Sequence, residues 1–195
     1  MSARLTDSDS KTKFHKEFQY VIPAVYRRVV DEFIVELNLL RNQKKFTEDN
    51  LFSLGLVKTY HELTKGYKPD RHIKELFKAI CNCSGFEVEK IETMANQMIE
   101  RCNTIDKKDI LESSKDSDKI SKILIDSLGI KKDNYYSRLS GIGLLIFLEK
   151  IGLEESQEEK SIDAIELICN AIGFKKVRVE KDINLYKVNK EKLNK

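Results

Sequence analysis

Residues 21–43, VIPAVYRRVVDEFIVELNLLRNQ, constrain the fold more than any other stretch. Pro23 stands where a helix can begin, because its missing N–H would be unpaired there anyway. Val25, Val29, Phe33, Ile34, Leu37 and Leu40 then recur at spacings of three and four, and Tyr26 and Val30 widen the stripe. That is the period of an amphipathic helix, and neither Gly nor any further Pro interrupts it. The other side carries Arg27, Arg28, Asp31, Glu32 and Glu36. Arg27–Asp31 and Arg28–Glu32 stand one helical turn apart and are expected to pair on the surface, at roughly 0.2–0.5 kcal/mol each. A stripe this wide needs partners on more than one side, which predicts the central helix of a bundle.

The rest of the chain agrees with a helical class. It has 2 Pro and 8 Gly in 195 residues, so breakers are rare. The length suits one domain with an extension. Helices are predicted at about 9–18 (capped by Ser8 or Asp9), 51–65 (Thr47 or Asp49), 71–84, 87–102, a stretch ending at 128, 135–151 and 161–172. Residues 113–118 and 154–160 are predicted as exposed loops. The segment 135–151 is apolar nearly all round its middle, which predicts burial and a crossing with 23–43 in the core. Gly55 interrupts an apolar helix, where it costs about 1 kcal/mol relative to Ala; close approach of another helix is the expected reason.

From 175 onward the sequence is helical and basic, with Val179, Ile183, Tyr186, Lys190 and Leu193 stepping by 4, 3, 4 and 3. This is a short heptad seam. The fold class is therefore all-α, one helical bundle of about eight helices over 1–173 and a charged, coiled-coil-like helix over 174–195.

One internal echo is visible. Residues 80–86 match 168–174 at five of seven positions, and Gly129 falls midway between Gly85 and Gly173. The expected cause is three helix ends, each stopped by glycine and followed by an apolar residue that packs back.

Catalytic chemistry finds little support. Glu32 and Glu36 share a helix face, but a bundle metal site also needs Glu-x-x-His on partner helices, and none of His15, His61 or His72 has that partner. Cys81 and Cys83 project about 200° apart on a helix, and Cys102 and Cys169 are remote, so all four read as reduced, buried thiols. Gly141-x-Gly143 follows no strand and suits close helix packing better than phosphate. No catalytic, cofactor-binding or metal-binding residue is predicted, and no cofactor.

The longest apolar run, 144–148, is far short of the about 20 residues a membrane span needs. Residues 1–14 lack the features of a signal or transit peptide. A cytoplasmic protein is expected, with any membrane role peripheral. Two features are candidates for partner binding. One is the band Arg27, Arg28, Asp31 and Glu32, which either meets a partner or forms a solvated or intramolecular face. The other is the C-terminal seam of Val179, Ile183, Tyr186 and Lys190, suited to a partner helix, to RNA or to an anionic membrane surface.

The strings SDSKTKFHKEF (8–18) and IPAVYRRVVDEFIVELNLL (22–40) resemble the start of the thylakoid formation family, also called photosystem II biogenesis proteins, of cyanobacteria and plastids. The similarity continues through 51–57 and 66–69, returns at Tyr136-Ser137-Arg138-Leu139, Gly143-Leu144 and Leu148-Glu149, and closes on 179–193. The string YRRVVDE at 26–32 is its most distinctive part. Residues 103–133 match only in helical character, and the C-terminal helix is short for the family. The resemblance implies a non-enzymatic accessory protein of cyanobacterial type, peripheral to the thylakoid membrane. Such proteins act in photosystem II assembly or repair and are linked to membrane FtsH proteases. Its partners would be the FtsH complex, photosystem II components, or both. The alternative is a helical nucleic-acid-binding module using the basic C-terminal helix, but a net charge of +3 gives no expectation of nucleic acid.

Overall fold

The computed structural model describes residues 6–112, 117–153 and 164–193. The order is α1 (Asp7–Glu17), α2 (Ala24–Arg41), α3 (Asn50–Leu63), α4 (Arg71–Cys83), α5 (Val88–Cys102), α6 (Lys107–Glu112), α7 (Ser117–Lys122, continued by a π-helical turn Ile123–Ser127), α8 (Arg138–Ile151), α9 (Ala164–Ile172) and α10 (Lys176–Leu193). No strand occurs among the described residues, and the all-α class holds. The expected loops at 113–116 and 154–160 lie outside the described residues, as does the start of the helix placed at 161. Ser117 and Asp118, assigned above to the first of those loops, begin α7.

The centre of the bundle is α3 crossing α8, the most extensive pairing among the described helices, with α5 next in its packing on α3. This corrects the expectation that 23–43 would be the central helix and cross 135–151. Helix α2 packs chiefly on α1 and α4. Its buried residues are Val30, Phe33, Ile34, Leu37, Asn38 and Leu40, whereas Val25 is 75% exposed. The stripe is real, but at its N-terminal turn Tyr26 packs on Tyr67 while Val25 stays open to solvent.

Glycine explains why α3 and α8 come so close. A Cβ on Gly55 would overlap the Leu139 carbonyl oxygen, and one on Gly143 would overlap that of Leu51. The two helices thus touch backbone to backbone, as expected for Gly55. Gly141 is different: a Cβ there would meet the Tyr136 hydroxyl at 2.5 Å.

Two apolar clusters flank the crossing. One is rich in aromatic residues: Phe14 of α1 and Phe18 just after it, Phe33 of α2, Phe52 and Tyr60 of α3, Phe77 of α4 and Phe86. The other is mainly aliphatic, formed by Leu51 and Leu54 of α3 with α7, α8, α9 and the start of α10. Helices α3, α5 and α8 each feed both, so together they form the wall the clusters share.

The helix ends follow local chemistry. Asp49 caps α3 by accepting from the Phe52 N–H, and Ser137 caps α8 by accepting from the Ser140 N–H, which starts that helix at 138 rather than 135. Thr6, not Ser8 or Asp9, caps α1, in a reciprocal pair with Asp9. The internal echo is a repeated helix stop. Phe86 N–H bonds Cys81 O at 3.0 Å, Ile130 N–H bonds Leu124 O at 3.2 Å and Phe174 N–H bonds Cys169 O at 2.8 Å. Each bond spans a left-handed glycine, with φ of +80°, +67° and +81°.

All four cysteines are buried and none is in a disulfide. Burial pushes the thiols of Cys81 and Cys102 above the ordinary range and that of Cys83 to about 11, which disfavours the reactive thiolate. No described helix is long and apolar enough to cross a membrane.

Candidate partner groove

The α2 band and the C-terminal helix border one groove, although none of the seam residues Val179, Ile183, Tyr186 and Lys190 lines it. An open groove of about 1050 Å³ runs between α2, the residues leading into α8, and the first half of α10. Arg27, Arg28, Asp31 and Glu32 line one wall, Tyr135, Tyr136 and Arg138 the base, and Arg178, Lys181 and Asp182 the other wall. Val35, Leu39 and Leu40 supply its apolar floor, and Leu39 is 55% exposed.

The wall on α2 is organised by ion pairing. Arg28 Nε donates to Glu32 Oε1 at 2.9 Å, as the spacing predicts. The Arg28 side chain is otherwise open to solvent, so this pair holds no neighbouring helix. The expected Arg27–Asp31 pair does not form. Arg27 Nε donates to the Ile22 carbonyl at 3.0 Å, and Asp31 takes Lys11 of α1 at 3.3 Å. Competitors distant from the α2 turn take both members of the pair.

Arg138 donates to Glu36 and so ties the first turn of α8 to the middle of α2. Burial raises the Glu36 carboxyl above its ordinary value, and the Arg138 guanidinium opposes the shift without cancelling it. For Arg138 burial works against the charge, but Glu36 beside it holds the guanidinium more firmly protonated than usual.

The other wall turns on Tyr136. Its hydroxyl donates to Asp182 Oδ2 at 2.8 Å, the Arg178 guanidinium lies 4.9 Å over its ring, and Phe174 meets its edge. Burial, and next the hydrogen bond to Asp182, push the phenol well above its ordinary pKa, so it stays a donor. Asp182 and Arg178 are one turn apart on α10 and grip the same ring.

The C-terminal seam divides. Val179 and Ile183 are buried in the aliphatic cluster, and Tyr186 packs half-buried against it. These residues fasten α10 to α8 and α9 rather than facing outward. Lys190 is exposed and lines a second, smaller cavity of about 300 Å³ with Thr59, Glu62, Ile142, Leu185 and Tyr186. Glu32 and Arg138 border both cavities, so the two are adjacent. The side chain of Leu193 lies outside the described residues.

Sequence reasoning missed Glu36, Leu39, Tyr135, Arg138, Arg178, Lys181 and Asp182 as a group. The signals were present but scattered: Tyr136 and Arg138 within the family-like string, and Arg178 and Lys181 within the basic tail. No group of three or more His, Cys, Asp or Glu side chains arranged to hold a metal occurs among the described residues.

Comparison with known proteins supplies the family. The sequence model of a family described as "Thylakoid formation protein" matches residues 6–195. Protein Thf1 of Prochlorococcus marinus strain NATL1A is 42% identical, covering 99% of this chain and 93% of the relative. Protein Thf1 of Synechococcus sp. strain CC9605 is 33% identical, over all of this chain and 86% of the relative. A solved structure of Psb29 superposes with a TM-score of 0.79, covering 99% of this chain and all of the other, at 24% identity, and so shares the fold. The chain belongs to the thylakoid formation protein family.

Proposed function

We propose that this protein is a non-enzymatic accessory factor of thylakoid formation and photosystem II assembly or repair. In this reading it is an adaptor, peripherally associated with the thylakoid membrane and linked to membrane FtsH proteases. Family membership supplies the setting. The observation that carries the adaptor reading is the groove, where the charged band of α2 and the basic α10 face one another across an open apolar floor. A surface drawn from three segments distant in sequence exists only in the folded chain, which suits a partner site on a folded adaptor.

The structure does not favour the nucleic-acid reading. On α10, Lys176 pairs with Glu166 at 2.9 Å, and Glu180, Asp182 and Glu191 are interspersed among the cations. Phosphate contacts need cations in a row and free.

Recovery of the tagged chain from detergent-solubilised thylakoids tests the proposal. Membrane FtsH subunits or photosystem II components are expected to co-purify. Recovery of neither overturns the adaptor reading.

A further inference from the structure

The charges of the groove are unevenly satisfied. Each of its four carboxylates has a partner within the chain: Asp31 has Lys11, Glu32 has Arg28, Glu36 has Arg138, and Asp182 accepts from the Tyr136 hydroxyl. The cations are not so matched. Among the described residues no carboxylate lies within ion-pair reach of Arg27, Arg178 or Lys181. Arg27 spends only its Nε, on the Ile22 carbonyl, and Arg178 offers its face to the Tyr136 ring. Arg27 is on α2 while Arg178 and Lys181 are on α10, so an occupant lying between the helices meets a cation without an ion-pair partner on each side, against one carboxylate, Asp182, whose partner is a neutral hydroxyl.

Beneath these cations the floor is apolar. Val35 and Leu40 line it, and Leu39 exposes more than half its surface there. We infer that the groove takes an acidic amphipathic helix from a protein partner, with apolar side chains on Leu39 and Val35 and carboxylates toward Arg27, Arg178 and Lys181. This rests on the adaptor reading and specifies the chemistry of its partner.

Three features select this occupant. Guanidinium groups bind carboxylates through two parallel hydrogen bonds. An amphipathic helix is about 10 Å across and lays one apolar face into a groove of this kind. The cations stand on two different helices and Leu39 and Val35 line the same groove, so a helix seated there meets both at once, and binding to an anionic membrane surface is the competing outcome of the test.

The test is a selection from a random peptide library displayed on phage, using the full chain and counter-selecting against an Arg27→Glu/Lys181→Glu variant. Both side chains are exposed, and circular dichroism checks that the variant is folded. Enriched peptides are expected to carry apolar residues at helical spacing flanked by Asp or Glu, and to bind the wild type roughly tenfold or more tighter than the double variant. A Leu39→Asp variant is expected to weaken the same peptides without changing their charge preference. Enrichment of basic or uncharged sequences, or no enrichment that depends on Arg27 and Lys181, overturns the inference. So does binding to phosphatidylglycerol vesicles that the double variant abolishes while the peptides show no acidic bias. The two readings fail separately. Thylakoid partners recovered equally by wild type and double variant would remove the acidic-helix inference and leave the adaptor; acidic peptides selected with no partner recovered from thylakoids would do the reverse.

Discussion

Two spaces between helices, both bordered by α8, are built on opposite rules. At the α3–α8 crossing Gly55 and Gly143 remove the side chains, the backbones touch, and nothing else fits. Between α2 and α10 the facing side chains are long and charged, and a volume of about 1050 Å³ stays open. Close approach of backbones where glycine removes the side chain gives dense packing, whereas long charged side chains keep their heads in water and leave the space between their helices open. The closed space fixes the fold, and the open one is left for binding.

The comparison breaks most severely at glycine. Gly143→Val is expected to lose about 3 kcal/mol or more, because the overlap is with backbone and cannot be relieved by rotating a side chain. Gly55→Ala should lose nearly as much, since even its single Cβ falls on the Leu139 carbonyl. Urea denaturation of both variants checks this. A loss below about 1 kcal/mol at both positions would show that the helices can part cheaply, and the closed space would no longer differ in kind from the groove.

A smaller effect is expected at the groove wall. Tyr136→Phe removes the hydrogen bond to Asp182 while keeping the ring under Arg178, at an expected cost of about 1 kcal/mol. Thermal unfolding of this variant beside Asp182→Asn shows whether the pair acts as a unit. Additive losses in the double variant would mean that Tyr136 and Asp182 do not share one interaction.

How much of this contrast was legible in the sequence depends on how local each cause is. Gly55 announced close packing because a glycine inside an apolar helix needs a reason, and the crossing supplies it. The three helix stops were legible for the same cause: Gly85, Gly129 and Gly173 each act within six residues of chain. The Arg28–Glu32 pair was legible because one turn of helix sets its geometry. Its neighbour failed because Lys11 and the Ile22 carbonyl, both outside the turn, offered Arg27 and Asp31 other partners. The central position assigned to α2 failed similarly. Periodicity shows which residues share a face, but not whether a helix arrives to cover Val25. The groove was the least legible part, because Glu36 and Arg138 are 102 positions apart and no spacing rule joins them.

Glu36 gives the comparison a pH signature. Its carboxyl is raised in the folded state above the ordinary 4.5 by burial, which Arg138 only partly offsets. A raised carboxyl contributes stability that is fully present below the unfolded value and is lost as pH rises through the folded value. Relative to Glu36→Gln, wild-type stability should therefore decline as pH rises from about 4.5 toward neutrality, with the two proteins within about 1 kcal/mol of each other. Urea midpoints of both proteins across that window measure the difference. A wild-type advantage that grows with pH would mean that Arg138 outweighs burial, and that this part of the groove is held together by charge.

The smallest effect on stability, and the sharpest test of the contrast, belongs to Lys181. It is exposed on α10 and has no carboxylate partner among the described residues, so the fold draws nothing measurable from its charge. Lys181→Glu should unfold within about 0.5 kcal/mol of the wild type. The new carboxylate would stand three residues from Arg178 on α10, where opposite charges attract, so a slight stabilisation is the expected sign. A charge kept where the fold does not use it, on the rim of the open space and not the closed one, is available to bind something else. A loss above about 1 kcal/mol in Lys181→Glu would show instead that the lysine belongs to the packing of α10, and the groove would lose one of the three cations that distinguish it from the crossing.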